Sequence, residues 1–169
     1  LSPAGAVMNN PLWVFSLHHY EQPGVAEACL AAQDLCGADV NLLMYAAWLS
    51  NNGLNLPAEQ WPALEARVAE WRQRVVSPLR SLRRDWRALP GAEQLREQVK
   101  TLELAAEQAQ QAAMWAWHEQ HAECVPAARP VVELTAVLAR LLPTGNLAPA
   151  ARNALLQRLA RLLAGSGVA

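Results

Sequence analysis

The stretch DVNLLMYAAWLSN, residues 39–51, decides the fold class. Its centre, Leu42 to Leu49, is apolar without a break and leaves no polar side for solvent. A helix that is apolar all round is enclosed by other elements rather than laid on a surface. Asp39 stands just before it, where a carboxylate accepts from the free N–H groups of the first turn. Gly37 lies two residues earlier, where a left-handed residue stops a preceding helix. The segment therefore predicts a sharp helix–helix corner, with the second helix at the centre of an all-α domain.

Outward from this corner, prolines punctuate the chain. Pro11, Pro23, Pro57, Pro62, Pro78, Pro90, Pro126, Pro130 and Pro149 each stand at or just before an apolar-periodic stretch. Proline fits the first helical position because the N–H it lacks would be unpaired there. Asn10-Pro11 and Ser77-Pro78 have the cap-plus-proline form of a helix start. Gly37, Gly53 and Gly145 fall where helices should stop. No segment alternates apolar and polar residues with the period of a strand. Helices are expected at about 11–20, 24–36, 39–51, 62–75, 78–88, 92–122, 130–142 and 149–163. The longest, 92–122, would run roughly 46 Å at about 1.5 Å per residue. Its apolar seam reads Leu95, Val99, Leu102, Ala106, Ala109, Ala113 and Trp117.

Composition agrees with one soluble domain over residues 10–169. The 169 residues are 53% hydrophobic and 17% charged, which excludes a disordered chain, and the longest apolar run is too short to span a bilayer. Fifteen acidic residues against fourteen basic ones are no footprint of a general nucleic-acid binder. Three cysteines make no disulfide framework, and no signal-peptide pattern opens the chain, so a cytoplasmic protein is expected. Residues 1–9, LSPAGAVMN, lack periodicity and read as a mobile leader, with Met8 marking a natural start.

Thirteen of the fourteen basic residues are Arg, and Ala and Leu abound. Codons of a GC-rich genome would favour that bias, so arginine has to be argued from placement. Between Arg67 and Arg87 there are seven basic and two acidic residues. Arg80, Arg83, Arg84 and Arg87 follow the spacing of one helix face, and Leu79, Leu82, Trp86 and Leu89 take the opposite face as an expected anchor to the core. Two readings compete. The arginines match acids on the 92–122 helix, or they dock an acidic protein partner or RNA phosphate.

The 33–41 corner is the second candidate. Gln33, Asp34, Asp39 and Asn41 form either a hydrogen-bonded corner fixing two helices or a small polar pocket for a ligand. His118, His121 and Cys124 are spaced at threes and drift round a helix, so they read as a polar helix end near the C-terminal dipole rather than as a metal site. Glu93/Glu97 and Glu103/Glu107 alternate with Arg96 and Lys100 as a solvated charge ladder. No P-loop, dinucleotide fingerprint or nucleophile elbow occurs, and no cofactor or metal is expected.

Three stretches carry a resemblance: LWVFSLHHY (12–20), PGVAEACLAAQDLCGADVNLLMYAAWL (23–49) and, more loosely, VSPLRSLRRDW (76–86). They resemble a family of small cytosolic helical proteins of proteobacteria, catalogued only as a domain of unknown function. The pattern is Leu-Trp-x-Phe, Tyr, Pro-Gly-Val, then a Cys-Leu-x-x-Gln-Asp core followed by Gly-x-Asp-Val-Asn-Leu-Leu in this chain. The resemblance implies a compact helical fold and supplies no activity. The functional expectation is a non-enzymatic interaction or adaptor module using the arginine face. The alternatives are a small-ligand-binding protein or enzyme at the 33–41 corner, and an RNA-associated factor.

Overall fold

Asn10 opens the first helix: its Oδ1 accepts from the N–H groups of Leu12 at 2.9 Å and Trp13 at 3.4 Å, so Pro11 starts α1 (Pro11–Tyr20) as the sequence predicts. A computed structural model describes residues 10–165, and the expected leader at 1–9 lies outside them. The chain is 78% helical, in seven continuous helices among the described residues. Its residues fall into two compact units, 10–13 with 59–122 and 14–58 with 123–165.

The second of these units holds the corner that opened the reading. Helix α2 (Val25–Ala31) widens into a π turn at Ala32–Cys36. Gly37 ends it at φ 72°, its N–H reaching back to the carbonyls of Ala32 and Gln33. Asp39 then caps α3 (Val40–Asn51) by accepting the Asn41 N–H at 2.9 Å. Eight residues of α3, Asn41 to Ala47 and Leu49, are buried, as an all-apolar helix requires. Against it packs α7 (Pro130–Leu141), which in turn carries α8 (Pro149–Leu163), and α8 also meets α2. Asn51 ties the helix ends together by donating to the Leu163 carbonyl at 2.9 Å. A two-residue strand pair, β1 (Leu54–Asn55) against antiparallel β2 (Val125–Pro126), was not foreseen and is too short to alter the all-α class.

The other unit is built on two long helices, and here the expected boundaries change. Helix is unbroken from residue 58 to 88, through α4 (Trp61–Trp71), a π turn at Arg72–Val76, α5 (Ser77–Asp85) and a final tight turn at Trp86–Ala88. The predicted break between 75 and 78 is therefore absent. Ser77 caps nothing, since it has helical φ −62° and ψ −43°. Its N–H reaches Arg72, five residues back, and this wider turn lets the Pro78 ring enter without striking the preceding carbonyls. Helix α6 (Glu93–His121) follows within one residue of its expected ends. At 29 residues it is second to the 31-residue helix before it. Gln60 pairs with His121, Trp71 with Ala106, Arg80 with Glu103 and Arg83 with Arg96, so the two helices run antiparallel as a hairpin.

The expected seam of α6 is only partly right. Val99, Ala106 and Trp117 are buried, but Leu95, Leu102 and Ala109 are exposed, and Glu103, Gln110 and Met114 complete the buried line instead. The reason lies in the facing helix, whose arginines make Glu103 the better inward residue.

Candidate functional site

Arg80 and Arg83 do not look outward. Arg80 Nε donates to Glu103 Oε1 at 3.0 Å and its Nη2 to Glu107 Oε1 at 2.8 Å, while Arg83 Nε donates to the other oxygen of Glu103. Arg96 adds a bond from its Nε to the Arg83 carbonyl at 3.0 Å. The side chains of Arg80, Arg83 and Glu103 are only 17%, 20% and 7% exposed. Burial alone would push the Glu103 carboxyl up, but Arg83 and then Arg80 hold it below the usual carboxylate range. The internal match expected as one of two readings is thus realised for Arg80 and Arg83, and Arg84 and Arg87 are more exposed.

The leucines, expected as the core anchor, are where the reading is corrected. At about 100° per residue, Arg80 and Arg83 face α6, Leu79, Leu82 and Trp86 turn to one flank, and Arg84 turns to the other. On α6, Leu95, Leu102 and Ala109 follow one flank at intervals of seven, with Glu107 on the other. Because Arg80 holds both Glu103 and Glu107, the Arg84 flank lies with the Glu107 flank. The Leu82 and Leu102 flanks therefore lie together on the opposite side of the hairpin. Trp71 continues that side, its Nε1 donating to the Ala106 carbonyl at 2.9 Å. Trp71, Leu82, Leu89, Leu95 and Leu102 are 40 to 56% exposed, and Leu79 and Trp86 are half-buried. The hairpin thus has a polar side and an uncovered apolar one.

The 33–41 corner is divided between the interior and the surface. Asp39 and Asn41 are buried, with Asp39 spent as the cap. Gln33 and Asp34 sit together on the π turn at the surface, Gln33 Nε2 lying 3.5 Å from Asp34 Oδ1. At the far end of α6, His118 stacks on Trp115 with ring centroids 4.8 Å apart, and burial lowers its pKa against the opposing pull of Glu119. His121 closes the helix, and its carbonyl accepts from Gln60 at 3.2 Å. Cys124 shares a hydrogen bond with the buried Tyr45. Among the described residues no three His, Cys, Asp or Glu side chains converge as metal ligands. No helix among them is long and apolar enough to cross a membrane.

These features place the chain among small all-α proteins with a long antiparallel hairpin. Residues 11–114 match the model of a family described as "Protein of unknown function (DUF2390)", and the chain belongs to that family. The match runs from the first residue of α1 into α6, past Glu103 and Glu107. No curated protein and no solved structure matches the chain.

The apolar side was present in the sequence but assigned to the interior. Its signal was the interval of seven in Leu82–Leu89 and Leu95–Leu102–Ala109, beside a second α6 line that could accept the arginines. Only the pairing of Arg80 with two glutamates decides between the lines.

Proposed function

We propose that this protein acts by docking another protein chain rather than by catalysis, and that its docking element is the apolar side of the 58–121 hairpin. The observation that carries this is the exposure of Trp71, Leu82, Leu95 and Leu102 along one side of two helices, with Leu89 exposed just past the end of the first. Single exposed leucines are ordinary on any surface, but a contiguous apolar patch marks an interaction site. The arginine face enters the reading in reduced form. Arg84 lies on the other flank and Arg87 is exposed at the end of the helix, while Arg80 and Arg83 stabilise the hairpin itself.

The test is affinity capture from an extract of the producing cells, with and without nuclease. The parent chain and a Leu82→Glu/Leu102→Glu variant are compared. Protein recovered by the parent, resistant to nuclease and lost from the variant supports the reading. Equal recovery by both chains would overturn it, and recovery abolished by nuclease would point to RNA instead.

A further inference from the structure

We infer that the occupant of the apolar side is a second copy of this chain, two hairpins meeting face to face as a four-helix arrangement about a two-fold axis. The inference rests on the docking role of that side and names its partner. The first argument is size. From Trp71 to Leu89 the side runs about 28 Å at about 1.5 Å per residue, and two helices about 8–10 Å apart make it roughly 18–20 Å wide. That is a footprint of about 500 Å² per copy, or about 1,000 Å² for the pair, which reaches the lower bound for a specific interface. One added helix would fill only the groove between α5 and α6. A hairpin covers both ridges.

The second argument is periodicity. On α6, Leu95, Leu102 and Ala109 recur every seven residues, the repeat that keeps a seam facing a partner helix crossing at about 20°. Leu89 extends the side of Leu82 just past the end of the facing helix. Four-helix bundles are made of antiparallel pairs packed in this way.

The third argument is charge. Trp71, Leu82, Leu89, Leu95, Leu102 and Ala109 carry no charge, so the side selects no partner of opposite sign. Two identical copies do not repel across it, and the whole chain has a net charge of −1, which opposes association little. Arg84 and Glu107 stay on the far flank of each copy, and Arg80, Arg83 and Glu103 are paired between the two helices. A two-fold pair therefore closes on its apolar sides and leaves its polar sides in water.

The experiment is light scattering and sedimentation on the purified chain, from micromolar to tenth-millimolar concentration. The parent is expected at twice the chain mass, and Leu82→Glu/Leu102→Glu at the chain mass with an unchanged far-ultraviolet circular dichroism spectrum. Leu104→Glu is the control. Leu104 is also an exposed leucine, but two residues on from Leu102 it lies about 200° round α6, and its substitution leaves the pair intact. A parent monomeric throughout, or a Leu104→Glu variant that dissociates equally, overturns the inference. If the parent is monomeric and the capture experiment still loses its protein with Leu82→Glu/Leu102→Glu, the docking side stands and its occupant is a different chain.

Discussion

Gly145 passes so close to Leu35 that a Cβ at Gly145 would stand 2.6 Å from the Leu35 carbonyl oxygen. The same atom would lie 2.9 Å from Cys36 Cα, and both neighbours are backbone, which cannot swing aside. The loop between α7 and α8 is thereby pressed against the π turn that ends α2. Gly145 also holds φ 53°, a conformation only glycine adopts without strain.

Gly145→Ala is accordingly expected to destabilise the protein by more than backbone strain alone, which is about 1–3 kcal/mol for a residue in that region. Gly53→Ala supplies the comparison, because Gly53 has φ 65° but open space around it. Urea midpoints should fall in the order parent, Gly53→Ala, Gly145→Ala. Equal losses at the two glycines would show that the close approach to Leu35 contributes nothing.

Asp39 offers a second, smaller effect. Its Oδ1 accepts the Asn41 N–H at the start of the most buried helix, and loss of such a cap costs about 1 kcal/mol. Asp39→Ala should lower the thermal midpoint, and Asp39→Asn or Asp39→Ser should restore most of it. Failure of both rescues would assign Asp39 some role other than capping.

The corner around Asp39 was legible because each of its signals is local. Gly37 needs only its own φ, Asp39 only the N–H of Asn41, and Leu42 to Ala47 are buried whichever neighbours enclose them. The hairpin was not legible in the same way. Whether Leu102 or Glu103 faces inward depends on Arg80 and Arg83, some twenty residues earlier in the chain, and the two choices differ by one position on α6. The break expected at Ser77-Pro78 failed for a related reason. Serine before proline is a sound local start signal, but the π turn at Arg72–Val76 supplies another way to seat the ring. At the 33–41 corner the helix ends could be read, while the placement of Gln33 and Asp34 at the surface depended on how α2 packs.

His19 gives a pH dependence of definite sign. Burial lowers its pKa, and the neighbouring charge of His18 adds to this, against a hydrogen bond to the Leu162 backbone that raises it. Its folded pKa therefore lies below the ordinary 6.5, and the unfolded chain takes up the proton first as pH falls. His118 is shifted the same way. Stability should hold above about pH 7 and decline as pH falls through the ordinary histidine value. His19→Phe should flatten part of that slope, leaving the share due to His118. An unchanged slope in denaturant titrations at pH 7.5 and 5.5 would remove His19 from the account.

The four arginines should separate into two pairs. Arg80 and Arg83 are largely enclosed and converge on a carboxylate that is itself 7% exposed, whereas Arg84 and Arg87 are exposed. Breaking an enclosed ion pair on one side leaves its partner's charge without compensation, at a cost of about 3–5 kcal/mol when burial is complete and less in proportion here. Exposed charges contribute about 0–1 kcal/mol each. Arg84→Gln/Arg87→Gln should therefore leave the denaturation midpoint almost unmoved, and Arg80→Gln/Arg83→Gln should lower it clearly. Glu103→Gln should lower it as well, because it removes the negative charge that lets the two guanidiniums approach. The acid response then identifies the group responsible. The Glu103 carboxyl titrates below its ordinary value, so its contribution is present above about pH 4.5 and is lost as pH falls through its folded pKa. The parent should lose stability in that acid range, and Glu103→Gln should be less stable at neutral pH but lose less on acidification. Equal midpoints for the two arginine pairs, with an acid slope untouched by Glu103→Gln, would mean that the hairpin is held by its apolar contacts alone and that Arg80 and Arg83 return to the candidate docking face.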